Sequence, residues 1–161
     1  MAVEALIIEN WLFDTLSADQ TLAEALATDG RAPFHQIGVY STIAPLVDPR
    51  TGKPPATPYV VYSNEGVAGD DEIALCGQRY MSDPVYRITV WDSVKGAVSW
   101  AKLQAVADRI DALVDNQTLA TTPPAWGRRL SASTEIEVAN DGLIDYGVTQ
   151  LYHFRVKSNA T

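Results

Sequence analysis

Three carboxylates stand in a row at Asp70, Asp71 and Glu72, inside the stretch GVAGDDEIALCG that runs from Gly66 to Gly77. A calcium loop needs oxygen ligands at alternating positions, a central glycine and a terminal glutamate. Contiguous acids turn neighbouring side chains apart, so this run reads as a solvated, mobile loop tip and not as a metal site. The two histidines, His35 and His153, have no His or Cys at zinc spacing. His153 falls out of phase with Tyr152 and Phe154 in a strand pattern, which makes it a surface strand residue. As a base it would need an oriented partner. Cys76 could serve such a dyad only if the fold carried it to His153, and an unmatched cysteine ordinarily behaves as a small hydrophobe. The chain holds no G-x-S-x-G, no Walker loop and no G-x-G-x-x-G. Its one basic doublet is Arg128-Arg129, two residues after Trp126. With Trp126 it reads as a contact made by a loop. Glu9 lies in the apolar arc of a helical pattern; it is either paired and buried or wet on a frayed first turn. No catalytic constellation, cofactor site or metal site emerges from these residues.

Composition narrows the field further. A chain of 161 residues with 47% apolar content and four tryptophans can fill one domain, 1–161, with a packed core. A single cysteine rules out an internal disulfide, as suits a reducing cytosol. No apolar run reaches the ~20 residues that span a bilayer. The start, MAVEALIIENW, lacks the basic segment and small-residue cleavage site of a signal peptide. Formal net charge is −8, the wrong sign for binding a nucleic-acid backbone. The first thirty residues carry six acids, Glu4, Glu9, Asp14, Asp19, Glu24 and Asp29, and no Lys or Arg.

The elements that must position these groups follow from periodicity. Residues 3–16 predict a helix with Ala5, Ile8, Leu12 and Leu16 on one face, widened by Leu6 and Phe13. Val3, Ile7 and Trp11 fall on the opposite side, so the helix is either deeply buried or shared with another subunit. Ser17 and Gln20 have the spacing of a capping box opening a short second helix that Gly30 ends. Residues 38–43 predict a strand. The segment 47–58 carries four prolines and predicts an exposed loop. Pro58 to Tyr62 predicts an interior strand and Val85 to Trp91 another. Ser93 is the expected N-cap of a long amphipathic helix over 94–115. After a loop containing Trp126, Leu130, Ala132, Thr134, Ile136 and Val138 alternate with polar residues, as in a strand with one wet face. Asn140-Asp141-Gly142 predicts a turn, and 146–156 the last strand. The order implies an α+β fold: a mostly antiparallel or mixed sheet with two to three helices on one face.

The segments LSADQTLAEAL, PYVVY, VYRITVWDSVKGAVSWAKLQAVADRIDALVDN and YGVTQLYHFRV, taken in that order, resemble the tail terminator (tail completion) proteins of long-tailed bacteriophages. The likeness covers most of the chain and departs at the insert 47–58 and around Trp126. It implies a virion protein that forms a ring, usually a hexamer, on the head-proximal end of the tail tube. Such a ring ends tube polymerisation and meets the head completion or connector protein, and DNA passes through it without specific binding. It also implies assembly in the host cytoplasm and no membrane. On this reading Val3, Ile7 and Trp11 are candidates for the subunit contact. Asp70, Asp71, Glu72, Ile73 and Leu75 form an arm toward a neighbour, the tube or the lumen. Trp126, Arg128 and Arg129 are a further contact.

Three other readings remain open: another neck, head–tail joining or minor tail protein; a small cytosolic enzyme or ligand-binding domain, which would need a pocket with convergent polar groups; and an acidic mimic of DNA, which would need regularly displayed carboxylates. The contact-arm reading predicts that calcium or magnesium leaves the melting temperature unchanged, for the native chain and for Asp70→Asn/Asp71→Asn alike. A large cation-dependent rise in the native chain that the double variant lacks would instead mark a metal site.

Overall fold

Residues 84–94 and 144–157 alternate between apolar and mixed positions, and they form the two strands on which everything else is laid. The computed structural model describes residues 3–26, 38–42, 44, 52, 57–67, 81–138 and 142–157. In chain order the described elements are α1 (Val3–Ala18), α2 (Gln20–Leu26), β1 (Val39–Ser41), β2 (Tyr59–Val67), β3 (Met81–Ser82), β4 (Pro84–Val94), α3 (Trp100–Val114), β5 (Thr118–Leu119), β6 (Ala125–Val138) and β7 (Ile144–Lys157). The strands form one sheet in the order β1-β2-β4-β7-β6-β5, with β3 also paired to β7. Only the β1–β2 pair is parallel; every other pair is antiparallel. This is the expected α+β class, a single domain on a mixed, mostly antiparallel sheet.

Register decides which side chains meet the helices. Tyr86 pairs with Tyr152, Ile88 with Gln150, Val90 with Val148 and Asp92 with Tyr146, and all eight are buried. Val60 and Tyr62 extend that face across β2. The helices cover it. Leu103, Val106, Ala107, Ile110 and Val114 of α3 and Ile8, Leu12 and Leu16 of α1 join the same core. Gly127 marks the closest approach of layer to sheet. A Cβ built there would stand 2.6 Å from the Val114 carbonyl oxygen, so the end of α3 can cross β6 only over a glycine.

Several expectations are corrected. Leu6 and Phe13 do not widen the buried face of α1; both point outward. Trp11, on the side expected to be deeply buried or shared with another subunit, is half-buried, with its ring edge-on to Phe154 at 6.3 Å between centroids. Ile7 and Glu9 are half-buried, and Val3 lies on α1 where its side chain is not described. The cap of α2 is Asp19 and not Ser17: Leu22 N–H donates to Asp19 Oδ1 at 2.7 Å and Ala23 N–H to the Asp19 carbonyl at 2.9 Å. Ser93 caps nothing. It belongs to β4, its hydroxyl donates to Asp145 on β7, and Ser99 stands before α3. Strand β6 begins at Ala125, so Trp126, Arg128 and Arg129 are strand residues and not loop residues. The strip Leu130, Ala132, Thr134 and Ile136 is exposed, as are Ser131 and Ser133. A bulge between Arg129 and Ser131 leaves Leu130 without a cross-strand partner. The strands β3 and β5, two residues each, have no counterpart in the sequence pattern. Gly30, most of 47–58 and residues 68–80 lie outside the described residues.

Two expected outcomes follow. Trp11→Ala lowers folding stability by about 2 kcal/mol, because it removes a half-buried ring and its partner Phe154 loses an edge contact; urea unfolding of the monomer measures it. Asp19→Ala costs about 1 kcal/mol near neutral pH as a lost cap. Asp19 is held below the ordinary carboxylate range, mainly by its hydrogen bonds from Arg109. The stability it adds is present above the unfolded pKa and is lost as pH falls through the lower folded value. The gap between native and variant chains therefore closes as pH drops from about 5 to 2, read as converging urea midpoints.

Candidate functional site

Trp126, Arg128, His153 and Arg155 form two directly opposed cross-strand pairs, Trp126 with Arg155 and Arg128 with His153. Alternation along β6 and β7 places all four on the sheet face away from the helices. They line a shallow pocket of about 240 Å³. Asp83, buried at the junction of β3 and β4, sits beneath its edge. Arg155 reaches Asp83 with both arms of its fork, Nε to Oδ1 at 3.3 Å and Nη2 to Oδ2 at 3.4 Å. His153 Nε2 lies 3.3 Å from the same Oδ1 but is not aligned for a hydrogen bond. His153 thus has a carboxylate neighbour, which the sequence pattern did not reveal. Cys76, the nucleophile that might be imagined for it, lies outside the described residues.

The basic doublet is split by the sheet. Arg128 is exposed on the pocket side, with no ion pair among the described residues. Arg129 points to the helix side, where Nη1 meets Asp111 Oδ2 at 2.8 Å and its backbone N–H donates to Asp115 Oδ1 at 2.7 Å. Arg129 therefore ties β6 to the end of α3 on the opposite face from Arg128. Adjacent residues of a strand must face opposite ways, so the doublet could never have acted together.

Beside the pocket, the same sheet face carries Trp91, whose ring lies over Gly147; a Cβ there would meet Trp91 Cε3 at 3.0 Å. Tyr40 and Tyr59 stand edge-to-face 5.9 Å apart near the β1 edge. Thr89 and Thr149 bond each other at 2.9 Å, and Thr149 donates to Glu135 Oε1 at 2.8 Å. These are surface networks that stiffen the sheet. They do not converge on a point where a reacting atom could sit.

The large exposed apolar side chains among the described residues are Leu6 (50% exposed), Phe13 (44%), Trp126 (42%), Leu130 (53%) and Ile136 (58%). All five lie on two elements, α1 and β6. Of the contact residues expected from sequence, Trp126 and Arg128 are outward-facing, and Ile7 and Trp11 are half-buried. Asp70, Asp71, Glu72, Ile73 and Leu75 lie outside the described residues. Leu6, Phe13, Ile136 and Arg155 are exposed and were not singled out as contact residues from sequence. The signal for Arg155 was its even spacing from His153, which becomes meaningful only once the β6–β7 register is known. Among the described residues no group of three or more His, Cys, Asp or Glu could hold a metal, and no helix is long and apolar enough to cross a membrane.

No family model matches the chain, and no curated protein matches it. Solved structures do. A chain from the virion of a native gene transfer agent particle is 17% identical, with a TM-score of 0.59 over 98% of this chain and 100% of its own. A second solved chain, also 17% identical, has the same TM-score over 99% of this chain and 100% of its own. The fold described above is therefore one that a gene transfer agent virion also contains, from end to end.

Proposed function

We propose that this protein is a structural component of a phage-like virion. More closely, we infer that it forms a ring, hexameric by its resemblance to tail terminators, at the head-proximal end of the tail tube. There it stops tube growth and presents a surface to the head completion or connector protein. The observation that carries the reading is the end-to-end likeness of fold to a chain of the gene transfer agent virion. Three features support it. The exposed apolar side chains sit on two different elements, as a protein that works by contact requires. Among the described residues the polar networks tie strands and helices together and assemble no nucleophile, base and oxyanion donor. The net charge of −8 fits a protein past which DNA slides. The duplex carries about one negative charge per 1.7 Å, so an acidic wall repels it and holds nothing.

Electron microscopy of virions decorated with an antibody to this protein tests the reading. Label at the junction of head and tail is expected, with headless tails of uncontrolled tube length in particles assembled without the protein. Label at the distal tip, along the tube or in the capsid would overturn it. Label at the junction with tube length unchanged in the depleted particles would assign the chain to a head–tail joining ring instead.

A further inference from the structure

Along the end of β7, buried Tyr152, Phe154 and Val156 alternate with His153, Arg155 and Lys157 on the opposite face. Arg128 joins that face from β6, directly across from His153, and Trp126 stands across from Arg155. Arg155 is matched by buried Asp83. Arg128 and Lys157 are exposed and have no ion pair among the described residues. A chain at −8 therefore reverses its sign over one end of one sheet face.

Trp126, Arg128, His153 and Arg155 line a pocket of about 240 Å³ there, which has room for a side chain but not for a helix or a strand. Its hydrogen-bonding capacity is unevenly spent. Both arms of the Arg155 fork go to Asp83. His153 Nε2 is buried without a hydrogen bond, although Asp83 Oδ1 lies 3.3 Å away. The site thus holds one guanidinium and one imidazole nitrogen with bonding capacity in hand, and an unsatisfied buried polar atom is costly. The ring of Trp126, 42% exposed, supplies an apolar wall.

The lining selects among anions. Strand N–H groups lie in the plane of the sheet, and those of Gly127 and Arg129 are taken by Gln117 and Asp115. The pocket is not built as a cradle of backbone donors, as phosphate sites commonly are. Its donors are side chains, and a guanidinium fork matches the two oxygens of a planar carboxylate. With His153 neutral, Arg128, Arg155 and Asp83 leave one net positive charge, which one carboxylate cancels. A phosphate dianion or a nucleic-acid strand would overshoot it and bring further negative charge against an acidic chain.

Resting on the virion reading above for the source of the ligand, we infer that this pocket receives an Asp or Glu side chain, flanked by apolar residues, from another protein of the virion. Arg128 grips the carboxylate. Trp126 covers the apolar flank. Arg155, held by Asp83, keeps the shape of the pocket.

Isothermal titration of the full chain with a capped pentapeptide, Gly-Leu-Glu-Leu-Gly, and with its glutamine counterpart tests this. The glutamate peptide is expected to bind saturably with a Kd of about 1 mM or tighter, and the glutamine peptide about tenfold more weakly. Arg128→Gln brings the glutamate peptide down to the level of the glutamine one, with a melting temperature within a few degrees of wild type because the side chain is exposed. Lys95→Gln removes an exposed cation just past the far end of β4 and leaves binding unchanged. A shift in tryptophan emission on binding, absent in Trp126→Phe, places the peptide in the pocket. Equal affinity for the two peptides, no saturable binding, or an equal loss in Lys95→Gln would overturn the inference. So would inorganic phosphate or duplex DNA binding more tightly than the glutamate peptide, which would give the pocket to phosphate. Self-association lost in Arg128→Gln would also overturn it, by giving the pocket to a second copy. Where antibody label falls on the virion is independent of these results, so the functional reading stands or fails by itself.

Discussion

Three buried tyrosine hydroxyls fix the helical layer on the sheet. A phenol placed in a core must find a partner, because an unsatisfied hydroxyl there costs more than the bond returns on average. Tyr86 of β4 donates to the carbonyl of Ala5 in α1 at 2.7 Å. Tyr152 of β7 meets Asp111 of α3 at 3.1 Å. Tyr146 meets Asp92 at 3.0 Å and accepts from Ser99 N–H, ahead of α3, at 3.4 Å. Burial keeps all three protonated, the Tyr86 phenol being pushed up to about 12. Tyr152 is raised by burial first and by the Asp111 charge second. Each bond sets the position of a helix to within a hydrogen-bond length. Once Ala5 is fixed over Tyr86 and Trp11 over Phe154, Leu6 and Phe13 have nowhere to go but outward. The exposed patch on α1 is a consequence of this anchoring.

That dependence explains what the sequence could and could not reveal. Strands β2, β4 and β7 and helix α3 were legible because their apolar residues keep one period over many positions. Helix α1 was legible as a helix but not as an oriented one. Ala5, Leu6, Ile7, Ile8, Trp11, Leu12, Phe13 and Leu16 run all around its axis, so periodicity offers no preferred face. Tyr86 and Phe154 choose the face, and they lie some eighty residues or more away. The missed cap follows a similar rule. Ser17 and Asp19 are both good N-caps, and the choice falls to Asp19 because Arg109, ninety residues on, bonds the same carboxylate at 3.1 and 2.5 Å. The bulge at Leu130 has no composition of its own, and it breaks an alternation that reads as regular in the sequence.

The contact surfaces were legible only by residue type. Trp126 and Arg128 stood out as an exposed-looking aromatic beside a basic pair, and both do face outward. That Arg129 faces the other way follows from strand geometry, but the sequence reading had placed the segment in a loop, where no such rule applies. Arg155 and His153 join Trp126 and Arg128 through the antiparallel register of β6 and β7, a pairing that no local pattern announces. Asp83 was invisible for the same reason. It is one residue between two strands, and its partners Arg155 and His153 are about seventy residues downstream.

The distribution of charge now has a physical sense that composition alone could not give. In a chain at −8, four of the arginines among the described residues are drawn into internal pairs: Arg109 on Asp19, Arg129 on Asp111, Arg155 on Asp83, Arg87 on Glu65. Such exposed or half-exposed pairs add little stability individually. Their larger effect is subtractive, because they remove positive charge from the surface. What remains outward among the described residues is acid over the first two helices, with Arg128, Lys95 and Lys157 as exposed cations without an ion pair. A surface with this excess of acid repels polyanions. Copies of one acidic chain would ordinarily keep apart. For them to associate, apolar area must outweigh the repulsion, and the opposed charges must bring unlike faces together and not like ones. The exposed apolar side chains of α1 and β6 meet the first requirement with residues that the internal packing leaves over.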